Sequence, residues 1–197
     1  MSSSDSDIAM REIVNAGLPC YLNVLYAVYR FQDEITTIAE RVLRENLDEL
    51  CRALAVQAPP PASVQRYSAP GPLSPSWDGK WGWLAASAKF GAPMWHTCYL
   101  GLTFDSSQPE PDKTQAHITF MHQLWTKSRY ASLRPSFLSH SDRHDNPQEK
   151  ELGFSWPLRN PDNIEEDVQK MARRAIEFWT TTGGWQKLIP SGDPTGS

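Results

Sequence analysis

Cysteine is scarce in this sequence of 197 residues, and no two cysteines have a spacing typical of a metal or redox site. The three present are Cys20, Cys51 and Cys98, an odd number without a CxxC motif. This set predicts neither a disulfide framework nor a zinc knuckle. We therefore expect reduced cysteines, mostly buried, because a free thiol behaves as a small apolar group.

Long apolar runs are also missing, which argues against a membrane span, since a span needs about 18 or more apolar residues. The N-terminus, MSSSDSDIAMRE, lacks the apolar segment of a secretory signal. We therefore expect a cytoplasmic protein with no membrane partner. The net charge of −4 is mild and differs from the strong basic excess of typical nucleic-acid binders.

Common catalytic motifs are absent from the sequence as well. It contains no GxSxG nucleophile elbow and no glycine-rich phosphate-binding loop. We expect no cofactor. Function must therefore be inferred from surfaces and from clusters of polar residues.

The N-terminal part of the chain has the pattern of a long helix, predicted over residues 8–56. Glycine and proline are missing after Pro19 until the prolines that begin at position 59. Apolar residues recur there at helical spacing. They are Leu22, Leu25, Tyr29, Ile35, Ile38, Val42, Leu43, Leu47, Leu50 and Leu54. Such a helix is longer than one sheet requires, and its apolar stripe drifts in register. We therefore predict that part of it, including Tyr29, faces a protein partner or a second copy of the chain.

Residues 57–76 contain six prolines and few large apolar residues, which predicts a linker. The following segments WGWLAASAKF and WHTCYLGLTF alternate with period two and predict a β-hairpin. One face of the second segment is apolar, and its residues are His96, Cys98, Leu100, Leu102 and Phe104. The other face of the hairpin carries the aromatic residues Trp81, Trp83, Trp95 and Tyr99, which are common anchors in interfaces.

Two further segments, AHITFMHQLW and LGFSWPL, predict a third and a fourth strand. Between them, residues 126–151 show neither helical nor strand period and are expected to form an irregular, mobile loop. The pattern from Pro161 to Thr182 predicts a helix that ends before Gly183. The expected fold is α+β, a single domain over residues 1–197. It combines a long N-terminal helix, a Pro-rich linker and, over residues 77–190, a roughly four-stranded antiparallel sheet with a C-terminal helix packed on it.

The densest polar cluster lies in the expected loop and consists of His140, Asp142, His144 and Asp145. Imidazole and carboxylate groups at this spacing suit zinc or manganese if the loop turns them inward. A metal-dependent hydrolase or nuclease is therefore one alternative function. A solvated polar loop explains the same composition.

Basic and aromatic residues interleave just before this cluster, at Arg129, Tyr130 and Arg134. Single-stranded nucleic-acid sites show this composition, which makes nucleic-acid binding a second alternative. Residues 101–150, however, hold six Lys and Arg against six Asp and Glu, so no positive surface is evident. The interpretation that fits best is a non-catalytic intracellular binding or regulatory protein, such as an inhibitor, immunity or accessory factor, that acts by stoichiometric protein–protein interaction.

Overall fold

The structure, a computed structural model, describes residues 3–68, 81–90, 96–105, 116–159 and 161–188. The chain divides into two compact units, Met1–Glu34 and Ile35–Ser197. Among the described residues, no helix combines the length and the apolar character needed to cross a membrane.

The first unit is helical. Helix α1 covers Ser3–Leu54, and its part up to Glu34 belongs to the first unit, while the rest belongs to the second. Large apolar side chains are exposed along it. They are Ile13, Val14, Leu18, Tyr21, Leu22, Val24, Tyr26, Tyr29 and Phe31. Cys20 is exposed as well, whereas Cys51 and Cys98 in the second unit are buried, which agrees with the expectation that most of the cysteines are buried. Burial raises the pKa of the Cys51 thiol to about 11.

The second unit contains a sheet of six strands, all paired antiparallel in the order β1-β2-β3-β4-β6-β5. The strands are β1 (Gln65–Ser68), β2 (Trp81–Phe90), β3 (His96–Asp105), β4 (Ala116–Gln123), β5 (Arg143–Asn146) and β6 (Glu151–Pro157). The helices of this unit are the remainder of α1, α2 (Lys127–Leu138), α3 (Ile164–Thr182) and the short α4 (Trp185–Leu188). The α+β class is therefore confirmed, and the sheet has six strands among the described residues where about four were expected.

The C-terminal helix is confirmed, and the residues at its ends explain its bounds. Asn163 caps α3 at its start by accepting a hydrogen bond from the backbone N–H of Glu166. Gly183 ends the helix in the left-handed region at φ 77°, where glycine carries no Cβ penalty. Buried side chains of α3, Val168, Met171, Ala175 and Trp179, belong to the same apolar core as the buried residues of the strands.

One face of the sheet, the helix face, carries the core. Directly opposite residues of antiparallel strands share a face, so Ala86, Leu100, Phe120 and Phe154 form one row across β2, β3, β4 and β6. All four are fully or almost fully buried. Because Cys98 and Leu102 are buried on the same face, the predicted apolar side of β3 is confirmed.

The opposite face, called the open face below, alternates small with aromatic and polar residues. One row consists of Tyr67, Ala85, Gly101, Thr119 and Ser155. The next row consists of Ser87, Tyr99, Met121, Gly153 and His144. This face therefore carries hydroxyl and imidazole groups beside aromatic ones, whereas the central row of the helix face is wholly apolar.

Two predictions about connecting segments are wrong. Residues 126–151 form α2 and β5 instead of an irregular loop, because α2 buries Tyr130, Leu133 and Phe137 and β5 pairs with β6. Within the expected linker over 57–76, a 3₁₀ turn at Pro61–Ser63 leads into the edge strand β1. Residues 69–76 of that linker lie outside the described residues.

Candidate functional site

A chain of hydroxyl groups crosses the open face of the sheet. Thr103 Oγ1 lies 2.9 Å from Thr119 Oγ1, which lies 3.0 Å from Ser155 Oγ. Thr103 Oγ1 also lies 3.5 Å from the backbone oxygen of His117. These hydroxyls satisfy one another's hydrogen-bonding capacity across three strands. A polar surface can therefore cross the centre of the sheet without leaving any of these three hydroxyls buried and unpaired.

The sheet curls around this polar surface. Trp83 on β2 and His144 on β5 are separated by four strand-to-strand spacings, roughly 19 Å in a flat sheet. Their ring centroids nevertheless lie 6.3 Å apart, with the ring planes at 89°. Such a contact requires the two ends of the sheet to bend toward each other over the open face.

The curled face forms a cavity of about 900 Å³, called the sheet cleft below. Its defining residues are Trp83, Thr103, His117, His144, Glu151 and Ser155, and the turn that holds Pro147, Gln148 and Glu149 forms one rim. This volume is at the upper end of the range of small-molecule sites, roughly 300–1,000 Å³. The cleft is therefore large enough for an organic ligand or a peptide side chain.

The electrostatic centre of the cleft is Glu151, whose residue surface is only 6% exposed. Asn146 Nδ2 donates a hydrogen bond to Glu151 Oε2 at 3.1 Å, and His144 Nε2 lies 3.5 Å from the same oxygen. Elsewhere in the lining, burial lowers the pKa of His117, which favours its neutral form at neutral pH. The cleft thus contains a buried carboxylate that is hydrogen-bonded by Asn146 and lies close to His144.

Two of the three residues predicted for nucleic-acid contact, Tyr130 and Arg134, connect α2 to β5. The hydroxyl of Tyr130 donates to Asp145, and Arg134 Nε donates to Asp145 Oδ2 at 2.9 Å. Burial, together with the hydrogen bond to Asp145, raises the pKa of Tyr130 to about 12. Because Tyr130 is buried, its ring offers no free face on which a base could stack, and Arg129 beside it is half-buried.

The four residues predicted as metal ligands are not brought together. Asp142 accepts hydrogen bonds from Arg174 at 2.9 and 3.2 Å, and His140 Nδ1 lies 3.1 Å from the same guanidinium. His144 and Asp145 both line the sheet cleft, but the carboxylate of Asp145 is bonded to Arg134 on α2. Within the ranges the structure describes, no three His, Cys, Asp or Glu side chains are grouped so as to hold a metal ion.

The residues predicted for protein binding are separated from one another. Tyr29 is 61% exposed on the helix of the first unit, and Trp83 is a half-buried wall of the sheet cleft. The ring of Tyr99 lies near both Trp83, at 6.4 Å, and Tyr67, at 5.2 Å. The side chain of Trp81 and the whole of Trp95 lie outside what the structure describes.

Four residues of the cleft were not predicted as site residues from the sequence: Thr103, His117, Glu151 and Ser155. Period-two alternation did place Thr103 on the same face as Tyr99, so a signal for it was present. Glu151 enters the site only because β6 pairs with β4 and β5, which no local pattern indicates.

Comparisons of the chain with protein-family models, with curated proteins and with solved structures find no match. Function must therefore be inferred from the geometry of the chain itself. Two features offer surface for recognition: the apolar side chains of the first unit and the sheet cleft of the second.

Proposed function

We propose that this protein is a non-catalytic binding protein of regulatory or accessory kind, which acts by forming a stoichiometric complex through the N-terminal part of α1. The observation that carries this proposal is the exposure of large apolar side chains along that helix, from Ile13 at 68% to Tyr29 at 61%. Apolar surface of this extent on a folded protein marks an interaction site.

These side chains cover a continuous part of the helix circumference. At 100° per residue, the exposed apolar positions from Ile13 to Phe31 fall within an arc of about 220°, the apolar arc. Asn23 and Arg30 lie opposite, and no charged residue occurs from position 13 to position 29. The apolar arc is wider than the stripe of about 100° that packs on a single surface. It therefore favours a helical partner that covers it from more than one side.

The partner is proposed to be a protein that presents an apolar helix, and a second copy of this chain meets that requirement. Helix-in-groove and coiled-coil recognition use apolar anchors at this spacing, and tyrosine is a frequent anchor residue. The arc contains no like charges that would repel a second copy. Self-association through α1 is therefore the first form of the complex to test.

A binding role also agrees with the contacts of the polar cluster. The carboxylates of Asp142 and Asp145 are each engaged by an arginine, which fits a structural use of these residues. The free thiols of Cys51 and Cys98 fit a reducing compartment, in keeping with a proposed cytoplasmic location.

The test compares the wild type with Tyr29→Glu and with Asn23→Glu, which places the same charge on the opposite side of the helix. Sedimentation velocity of the purified proteins measures self-association, and quantitative capture from the host measures a different partner. We expect the complex to be lost in Tyr29→Glu and kept in Asn23→Glu. A monomeric wild type that captures nothing above the Tyr29→Glu background would contradict the proposal.

A further inference from the structure

We propose that the sheet cleft binds an organic cation, an ammonium or guanidinium group, supplied by a small molecule or by a lysine or arginine side chain. The cleft belongs entirely to the second unit, so this site does not depend on the apolar arc. The inference rests on the shape, the charge and the aromatic wall of the cleft.

The shape is that of a preformed site. The rings of Trp83 and His144 meet at the cavity, and the hydroxyls of Thr103, Thr119 and Ser155 lie across the open face of the sheet. The face has no room for larger groups at its centre, since a Cβ on Gly101 would lie 2.3 Å from the Leu84 carbonyl oxygen. The close packing of the strands behind the cleft makes its floor rigid.

The charge of the lining favours a positive ligand. Glu151 is almost completely buried, and in the described part of the chain its ionisable partner is His144, at 3.5 Å. A buried carboxylate is stabilised by a compensating positive charge. Glu149 and Asp145 add two further carboxylates to the lining, against one arginine, Arg143. Asp145 is paired with Arg134, and the guanidinium of Arg143 lies 3.4 Å from the His140 carbonyl oxygen. An arriving cation would therefore meet Glu151 as its main counter-charge.

The aromatic wall suits the same class of ligand. Trp83 lines the cavity and is half-buried, and the ring of Tyr99 lies 6.4 Å from it. The electron-rich face of an indole attracts ammonium and guanidinium groups, especially where water is partly excluded. A carboxylate and a tryptophan in the lining of one cavity therefore suit a guanidinium, whose N–H edge pairs with a carboxylate and whose face stacks on an aromatic ring.

Neutral polyols and anions fit this lining less well. The hydroxyls of Thr103, Thr119 and Ser155 already bond to one another, which reduces what they offer to a sugar. Phosphate would have to approach the buried carboxylate of Glu151, and like charges repel. The observations therefore favour a cation over the other ligands that a polar cleft accepts.

Isothermal titration of the full chain tests the inference with four probes: agmatine, a lysine- and arginine-containing tripeptide, glucose and inorganic phosphate. We expect saturable binding of at least one cationic probe and none of glucose or phosphate. Agmatine binding indicates a free cation, whereas binding of the peptide alone indicates a protein side chain.

Three variants locate the site. Glu151→Gln, which keeps the shape of the side chain, and Trp83→Leu should each weaken cation binding by at least about tenfold. Glu45→Gln on the exposed surface of α1 is the matched control and should bind like the wild type. Thermal unfolding of every variant checks that the fold is kept.

The inference is overturned if no cationic probe binds, if glucose or phosphate binds instead, or if Glu151→Gln and Trp83→Leu bind like the wild type. Tyr29→Glu should retain cation binding while it loses the helix complex. Failure of the proposed helix interface and failure of the cleft site are therefore distinguishable.

Discussion

Trp83 and His144 lie on strands four spacings apart in the sheet, and their rings nevertheless meet edge to face. The contact places the His144 ring in the magnetic field of the indole. We therefore expect Trp83→Ala to shift the His144 ring proton signals in a proton–carbon NMR spectrum. Trp125→Ala, which removes a 58% exposed tryptophan outside the sheet cleft, is the control and should leave these signals in place. Unchanged His144 signals in Trp83→Ala would mean that the sheet does not curl as described.

The helix face of the sheet should respond strongly to truncation at its centre. Leu100 is 0% exposed, so Leu100→Ala leaves a cavity and should lower the free energy of unfolding by roughly 2–5 kcal/mol. Leu138→Ala makes the same chemical change at a residue that is 41% exposed and should cost much less. Urea unfolding of both variants measures the difference. Equal midpoints for the two variants would contradict the assignment of the core.

How well the sequence predicted the fold depended on local periodicity. Strand β3 alternates cleanly, so the burial of Cys98, Leu100 and Leu102 was predictable. Strand β1 reads QRYS and contains one aromatic residue, so its pairing with β2 left no pattern in its own residues. Strand β5 reads RHDN and is a strand only because β6 lies beside it.

Helix α2 was missed although a weak signal was present. Its buried residues Tyr130, Leu133 and Phe137 follow helical spacing, but Pro135 and several serines dilute the pattern. The polar residues around it looked like a loop, because their partners are distant in sequence: Asp142 pairs with Arg174 on α3. The sheet cleft was unpredictable for the same reason, since it requires β2 and β5 to approach across the whole sheet.

Two glycines of the chain should respond in opposite ways to an added methyl group. A Cβ on Gly153 would lie 1.9 Å from the Phe120 carbonyl oxygen, so Gly153→Ala must separate β6 from β4 and should strongly destabilise the second unit. Gly17 lies inside α1 with nothing within 4 Å of an added Cβ. Gly17→Ala should therefore stabilise the helix by about 0.5–1 kcal/mol. Urea unfolding and helical circular dichroism measure the two effects. An unfolding midpoint for Gly153→Ala close to that of the wild type would contradict the close strand contact.

A buried histidine should make the protein sensitive to mild acid. Nε2 of His122 accepts a hydrogen bond from the Trp179 indole at 2.9 Å, and burial followed by repulsion from His96 lowers its pKa well below 6.5. The unfolded chain takes up this proton near pH 6.5, while the folded chain resists it. This histidine therefore leaves the free energy of unfolding unchanged above about pH 6.5. As the pH decreases from there, the free energy of unfolding decreases by up to about 1.4 kcal/mol per pH unit.

Urea unfolding at pH values from about 7 to about 5 measures this loss. His122→Gln can place an amide oxygen near the position of Nε2 as an acceptor for Trp179 but cannot take up the proton, so its stability should change less over the same range. His140→Gln, at a half-buried position outside this cluster, is the control and should keep the slope of the wild type. A wild-type slope in His122→Gln would show that another group carries the acid sensitivity.

Arg174 should connect β5 and the turn before it to α3. Its guanidinium carbon lies 4.1 Å from the centroid of the Phe154 ring, and it donates two hydrogen bonds to Asp142. Burial favours the protonated form of Asp142, but the hydrogen bonds and charge of Arg174 outweigh it and lower the pKa of this carboxyl. The stabilisation that the Asp142–Arg174 contact contributes is therefore fully present above about pH 4, where Asp142 is ionised in the unfolded chain as well. It is lost as the pH falls through the lower pKa of Asp142 in the folded protein.

Asp142→Asn should accordingly reduce the free energy of unfolding by about 1–3 kcal/mol at neutral pH, and the difference from the wild type should shrink in strong acid. Urea unfolding at a series of pH values measures both quantities. Glu165→Gln removes the carboxylate of the exposed ion pair with Arg41 and should have a smaller effect, because solvent screens that pair. A difference between Asp142→Asn and the wild type that stays constant into strong acid would mean that shape, and not charge, accounts for the contact. Arg174 would then link α3 to the sheet by packing on Phe154 of β6, since the ring contact with Arg174 does not depend on the ionisation of Asp142.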